Sequence, residues 1–425
     1  MLRRSILFFL FISAHVAAQQ APVAAKLVTI REQGSTRYSE AEILATVPLH
    51  VGQTVTPNDF KAAADKVLQT GAFQSVGYEF GPAGTGYKFT LKVADEPHWI
   101  KTAYANFLWF TRDELDKTIR ERVPLYRGEV PLEGGMVEGA TAALQELLTK
   151  RSIPGTVRFL HLATLSGPVT GGKFVIDGID MKITHVEVTG GGPEQKKLED
   201  AAARLLNENY EQDEANAVAQ LNVLPVAARD GYIRAKIGAL DAKLTNPDVQ
   251  HPAVSVVVPV ALGDLYTLSD IVVTGNQVLP AEEIRKQIKV KNGAPANDVE
   301  IHDDLDDVKK LYGARGYVMA QATADPEPND AAHTVVYRVT VKEGDQYRMG
   351  KLEISGVNAE GTAKLENMWR LKPGDPYSTE YLREYLRSVG PMIPRTATVK
   401  TMSNVNQQTK TVDVTLQLGA RRMGR

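Results

Sequence analysis

The sequence predicts an α+β chain organised as a tandem array of units about 80 residues long, each ordered strand, helix, helix, strand, strand. Three observations carry this. Two stretches, GDLYTLSDIVVTGN from Gly263 and GDQYRMGKLEISGV from Gly344, begin on Gly-Asp-x-Tyr 81 residues apart and run through an apolar segment to [ST]-Gly. Five segments alternate apolar and polar residues as half-buried strands do: YKFTLKV, GKFVIDGI, AVSVVVPVA, TVVYRVTV and TVDVTLQL. They end at 93, 179, 261, 341 and 418, so the intervals are 86, 82, 80 and 77 residues. Finally, a helix end followed by Gly and an aromatic residue recurs in LYGARGYVMA (311–320), PVAARDGYIRA (225–235) and, more loosely, VLQTGAFQSV (67–76).

Taken in order, the first unit reads LVTIREQG as a strand and SEAEILATV as a helix. PNDFKAAADKVLQTGAF is a second helix, with Pro57 at its start and Gly71 at its end. SVGYEF and YKFTLKV then pair across GPAGTG. The second unit is the weakest match, because its opening strand is obscure around WIKTAYANFLWF. The third runs KITHVEVTG, KKLEDAAARLLN, DEANAVAQLNVLPVAARDG and YIRAKIGAL. In the fourth, SDIVVTG precedes LPAEEIRKQIKV, where Ile284 and Ile288 stand at i, i+4, and then a helix with Ile301, Leu305, Val308 and Tyr312 on one face. GYVMAQATADPE and TVVYRVTV complete it. The fifth runs KLEISGV, TAKLENMWRL, TEYLREYLRSV, ATVKTMS and TVDVTLQL. The expected boundaries are 26–97, 98–180, 181–263, 264–345 and 346–425.

Composition is that of a globular protein: 425 residues, 43% hydrophobic and 24% charged, with a formal net charge of −2. That balance gives no basic footprint for nucleic acid. At the N-terminus, Arg3 and Arg4 precede the apolar run 5–14, and small residues follow at Val16 and Ala18. This pattern predicts a signal peptide (1–18) cleaved after Ala18, a short linker (19–25) and an exported chain. The chain has no cysteine, which removes disulfides, thiolate metal sites and a lipidated cysteine, so stability must come from packed cores.

Candidate chemistry is sparse. VTGGGPEQKKLED (188–200) places glycines between strand and helix, but it lacks phosphate-loop spacing and carries acids at the helix start. HDDLDD (302–307) lacks a calcium-loop pattern, and its acids read as a solvated helix face opposite Leu305 and Val308. The eight histidines show no metal-ligand spacing, and no G-x-S-x-G elbow is present. Neither a catalytic residue, a metal nor a cofactor is expected. At the two Gly-Asp-x-Tyr sites, Asp264 and Asp345 are expected to hold a tight junction turn after Gly263 and Gly344. Tyr266 and Tyr347 are expected to pack across that junction.

A β-α-α-β-β unit repeated behind a signal peptide resembles the POTRA (polypeptide-transport-associated) domain. The resemblance rests on element order, period, the Gly-Asp-x-Tyr junctions and the Gly-aromatic helix exits, and it covers essentially the whole mature chain. It implies, for each unit, a three-stranded mixed sheet with two helices on one face. It also implies a periplasmic location, possible peripheral association with the outer membrane, and unfolded outer-membrane proteins or an outer-membrane barrel protein as partners. No small-molecule substrate is implied. The strand after the second helix should be an open edge that an extended client joins by β-augmentation. That edge maps to 75–80, 232–239, 316–324 and 396–402, with Tyr232, Ile233, Arg234, Gly316, Tyr317, Val318, Met319, Ala320 and Gln321 as the residues that meet the client. Pro326 and Pro328 should follow the 316–324 strand and limit pairing. Unlike the family's insertases, the sequence shows no barrel strands before Arg425, so a separate chain is expected to supply any barrel. The alternative to a client-binding scaffold is a structural spacer or adhesin of the cell envelope.

Overall fold

A computed structural model describes residues 24–132, 134–164, 166–246, 248–393 and 397–420. The expected signal peptide, residues 19–23 of the linker, Thr396 and the basic tail 421–425 lie outside the described residues.

The described residues build five sheets. The first comprises β1 (Ala25–Gln33), β2 (Thr54–Val55), β3 (Phe73–Ala83) and β4 (Gly86–Asp95), in the order β2-β1-β4-β3. Helices α1 (Glu40–Leu44) and α2 (Pro57–Leu68) fall between β1 and β3 in the chain. The second sheet contains β5 (Trp99–Tyr104), β6 (Glu129–Pro131), β7 (Thr156–Ala163) and β8 (Val169–Asp177), with α3 (Arg112–Arg122) and α4 (Gly135–Lys150). The third takes in β9 (Lys182–Thr189), β10 (Lys236–Ile237), β11 (Asp241–Asn246) and β12 (Ala253–Ala261), with α5 (Gln195–Ala202) and α6 (Gln212–Arg229).

The last two sheets are three-stranded. One has the order β13-β15-β14, from β13 (Thr267–Thr274), β14 (Gln321–Asn329) and β15 (Thr334–Lys342), with α7 (Ala281–Arg285) and α8 (Asp298–Gly313). The other has the order β16-β18-β17, from β16 (Arg348–Ser355), β17 (Ala397–Asn406) and β18 (Thr411–Ala420), with α9 (Ala359–Met368) and α10 (Thr379–Val389). In both, the first strand runs parallel to the last and the strand after the second helix runs antiparallel to it.

The alternating segments become the central strands. Val335, Tyr337, Val339 and Val341 of β15 are buried, as are Val412, Val414, Leu416 and Leu418 of β18. Each such side chain contributes about 1.5–3 kcal/mol of burial. Helix starts follow their capping chemistry: Ser39 with Glu42, Thr56 with Asp59 and Thr111 with Glu114 form reciprocal capping boxes. The obscure opening of the second repeat is the short strand β5, followed by buried Asn106. That side chain bonds both the N–H and the C=O of Ile176, at 2.8 and 2.9 Å.

Two expectations need correction. The first two sheets are four-stranded because the loop between the helices adds a short strand to the first strand. In the fourth and fifth sheets the same loop makes only single bridges, Thr267 to Pro295 and Arg348 to Pro376. HDDLDD is also not a uniformly solvated face. Asp304 is buried, accepting hydrogen bonds from the Lys289 backbone N–H (2.7 Å) and its ammonium (2.5 Å). It thereby ties α8 to the turn after α7.

The chain divides into two compact units. Among the described residues, one holds 24–183, 209–213 and 242–254, and its first two sheets share one continuous core from Leu27 to Ile176. The other holds, of the described residues, 184–208, 214–241 and 255–420, with separate cores around Tyr337 in the fourth repeat and Val414 in the fifth.

Candidate functional site

In the first, second, fourth and fifth sheets the first strand and the strand after the second helix flank the last strand, and the fold treats the two differently. The first strand of a repeat is partly covered by its own inter-helix loop. Leu27, Leu268 and Met349 donate N–H groups to Gln53, Ala294 and Asp375, each at 2.8 Å, and accept in return from Gly52, Gly293 and Gly374. Among the described residues the strand after the second helix has no such cover, so its outward N–H and C=O groups are the candidate site.

Which backbone groups face outward follows from two observations. Along a strand, successive residues present their backbone groups to opposite edges. In β14, Pro326 and Pro328 pair with Tyr337 and Val335 but cannot donate, so they occupy outward positions. Buried Ala324 lies in the same alternate set. In β7, buried Val157 donates its N–H outward to Gln145 Oε1 at 2.8 Å. Residues whose side chains face the helices therefore turn their backbone to the open edge.

Applied along the chain, this rule separates the edges. On β3 the outward donors are Val76, Tyr78 and Phe80, ending at Pro82. On β7, Val157 is already occupied, leaving Phe159 and His161. On β14 only Ala322 and Ala324 can donate before Pro326 and Pro328. On β17, which lacks proline, the alternate set runs Ala397, Val399, Thr401, Ser403 and Val405.

Most of the client-edge residues expected from sequence lie elsewhere. Gly316 to Ala320 precede β14, and of that group Gln321 alone is in the strand, as its first residue. Gly316 has φ +89°, Tyr317 donates to the Tyr312 carbonyl at 3.1 Å, and Ala320 closes a turn onto Tyr317 at 3.1 Å. Tyr232, Ile233 and Arg234 form the same turn, with Tyr232 bonded to Ala227 and Ala235 to Tyr232. Leaving the helix takes several residues, during which Val318 and Met319 only imitate strand alternation. The expected 232–239 strand shrinks to Lys236–Ile237, because Pro259 opposite it offers Gly238 a carbonyl (2.8 Å) but no N–H. Pro326 and Pro328 are inside the edge strand, not after it.

The two motifs that recur in the sequence meet each other. Tyr266 donates its N–H to the Gly231 carbonyl at 3.0 Å, and Tyr347 donates to Gly316 at 2.8 Å. The tyrosine carbonyls then accept from Ala296 (2.9 Å) and Tyr377 (3.0 Å). Arg234 belongs to this junction, bonded to Asp330 at 3.0 Å and lying 5.7 Å over the Tyr266 ring. The two aspartates face the hairpin turn of the repeat they begin: Asp264 lies 3.9 Å from His333, and Asp345 pairs with Lys410 at 2.6 Å. Gly263 and Gly344 take φ +71° and +69° just before them. The sequence showed both motifs but not that they touch.

Residues 266–344 match the profile of the POTRA family, described as surface antigen variable number repeat. The fourth repeat is thus a POTRA repeat. The POTRA-bearing chain is 25% identical over 197 residues to a putative outer membrane protein assembly factor of Treponema pallidum, covering 46% of this chain and 23% of that protein. It is 26% identical over 218 residues to the outer membrane protein assembly factor BamA of Neisseria meningitidis serogroup B, covering 47% and 27% respectively. The match thus spans about a quarter of the length of these relatives. Among solved structures, POTRA domains 3–5 of Haemophilus influenzae BamA align with TM-score 0.44 and 19% identity, over 56% of this chain and 96% of that one.

Between the first two POTRA-like repeats the junction is ionic. Arg127 bonds Glu42 (2.6 Å) and the Arg37 carbonyl (2.8 Å), while Arg37 pairs with Glu129 (2.6 Å) and lies 3.9 Å over the Trp99 ring. Arg127, with help from Ser39, pushes the Glu42 carboxyl down to about 2. A depressed carboxyl stabilises the fold above its ordinary value of 4.5, and that contribution is lost as pH falls toward 2. Thermal unfolding between pH 5 and 2 should therefore show a steeper acid loss in the wild type than in Glu42→Gln. The difference should shrink in high salt, because the pair is solvent-exposed.

Proposed function

We propose that this chain is a non-enzymatic periplasmic scaffold or chaperone-like module in outer-membrane protein assembly or transport, adding extended client or partner strands to its open sheet edges. The observation that carries this reading is the asymmetry of the edges: the loop between the helices covers the first strand, while the strand after the second helix keeps unpaired backbone groups. Main-chain pairing at such an edge gives affinity with little sequence demand, as suits a module that handles many unfolded chains. Its partners are unfolded outer-membrane proteins or an outer-membrane barrel protein, in keeping with the assembly-factor names of its relatives.

Photo-cross-linking residues at Glu79 and Lys400, on the solvent faces of β3 and β17, test this in cells. Outer-membrane proteins identified in the adducts support the proposal; their absence from every edge rejects it. The spacer or adhesin reading draws on the recurrent Gly-Tyr junctions. It predicts that Val399→Pro, placed where β14 already tolerates proline, leaves outer-membrane protein levels unchanged while deletion of one repeat lowers them. Scaffold function through β17 predicts a loss in both.

A further inference from the structure

The first repeat differs from the others in what lies beside its open edge. Phe80 is 42% exposed although it is a large aromatic residue. Its ring stacks on Phe60 of α2 at 5.0 Å and 29°, and Phe60 stacks in turn on Phe89 at 4.8 Å and 16°. Tyr78 extends the strip at 6.4 Å from Phe80, and Tyr87 meets Phe80 edge-on at 5.9 Å. Phe80 and Tyr78 are also two of the three residues whose N–H groups face outward. The ring strip and the free backbone donors thus lie along one edge, in register at every second residue.

The edges of the fourth and fifth repeats do not combine the two. The outward positions of β14 carry two alanines and two prolines, and those of β17 carry Ala397, Val399, Thr401, Ser403 and Val405. On β7 the outward positions Phe159 and His161 hold rings 5.3 Å apart, but Val157, the first donor of that edge, is taken by Gln145. The opposite face of β3 is polar, with Ser75, Gly77 and Glu79, the last paired to Lys92.

We infer that the first-repeat edge β3 selects extended segments with an aromatic or large apolar side chain at every second position and polar residues between. This deepens, and rests on, the strand-addition reading. An added strand must present its own N–H and C=O groups to Val76, Tyr78 and Phe80. Its alternate side chains then lie beside the Tyr78–Phe80 strip, where cross-strand aromatic pairs contribute beyond simple burial. The remaining side chains fall on the polar face. Period-two alternation with aromatic residues is the pattern of a membrane-barrel strand before it inserts.

Two fluorescent nine-residue peptides test this on the full chain by anisotropy: one alternating Phe or Tyr with Thr and Lys, the other with alanine at each aromatic position. The wild type should bind the aromatic peptide about tenfold more tightly than the alanine peptide. Phe80→Ala should abolish most of that preference, and Phe80→Leu should keep part of it. Thermal unfolding of both variants confirms that β3 is still folded. Equal binding of the two peptides, or a preference unaltered in Phe80→Ala, overturns the aromatic selectivity but leaves strand addition standing. If neither peptide binds, the strand-addition reading falls and this inference falls with it.

Discussion

Gly275→Ala should destabilise the fourth repeat by about 3 kcal/mol, whereas Gly293→Ala in the same repeat should cost about 1 kcal/mol. Both glycines have positive φ, +76° and +85°, so both substitutions incur the left-handed backbone penalty. They differ in the space available. A Cβ on Gly275 would stand 2.2 Å from the Val341 carbonyl oxygen, while one on Gly293 would meet nothing within 4 Å. Gly275 is where β13 ends against the last strand, and the same close approach recurs at Gly34, Gly190 and Gly356. Amide hydrogen exchange along β15 is the measurement: about a hundredfold faster exchange in Gly275→Ala, and less than tenfold in Gly293→Ala. Equal acceleration in the two variants would show that backbone conformation, not the carbonyl contact, sets the requirement.

The second large effect is expected at the junction between the fourth and fifth repeats. Gly316 has no room for a side chain: a Cβ would lie 2.7 Å from the Tyr347 oxygen and 3.1 Å from that of Tyr377. Gly316→Ala must therefore displace Tyr347, whose N–H bonds Gly316 and whose carbonyl accepts from Tyr377. Losing those bonds in addition to the positive-φ penalty amounts to about 2–4 kcal/mol. Exchange of the Tyr347 and Tyr377 amides should accelerate at least tenfold while the centre of β15 keeps its protection. If protection at Tyr347 is unchanged, the junction does not depend on this contact. Gly231→Ala tests the preceding junction in the same way, since its Cβ would lie 2.8 Å from the Tyr266 oxygen.

Proline marks where sequence reading of the candidate site stops. Pro326 and Pro328 read as breakers after a strand, yet both lie inside β14. An outward edge position asks for no donor, so a proline there costs no ladder bond. Conversely, Val318 to Ala320 continue the alternation expected of a strand while forming a turn. Alternation reports which side chains could be buried and carries no information on which backbone groups are paired. Asp304 shows the same limit: helical spacing assigned it to a charged surface, and the backbone of Lys289 then closed over it.

What the sequence by itself determined was the repeat, its period, the β-α-α-β-β order and the identity of each central strand. Those follow from side-chain periodicity and from glycines at turns whose positive φ other residues rarely adopt, both of which are local properties. Tertiary structure alone decided which edge groups remain free, where each edge strand begins, and that the Gly-Asp-x-Tyr and Gly-Tyr motifs bond to each other. It also set Phe80 beside Phe60 on an open edge, although the two residues belong to different elements. The physical reason is that pairing register and junction contacts join residues far apart in the chain, and only the folded chain brings them within hydrogen-bonding distance.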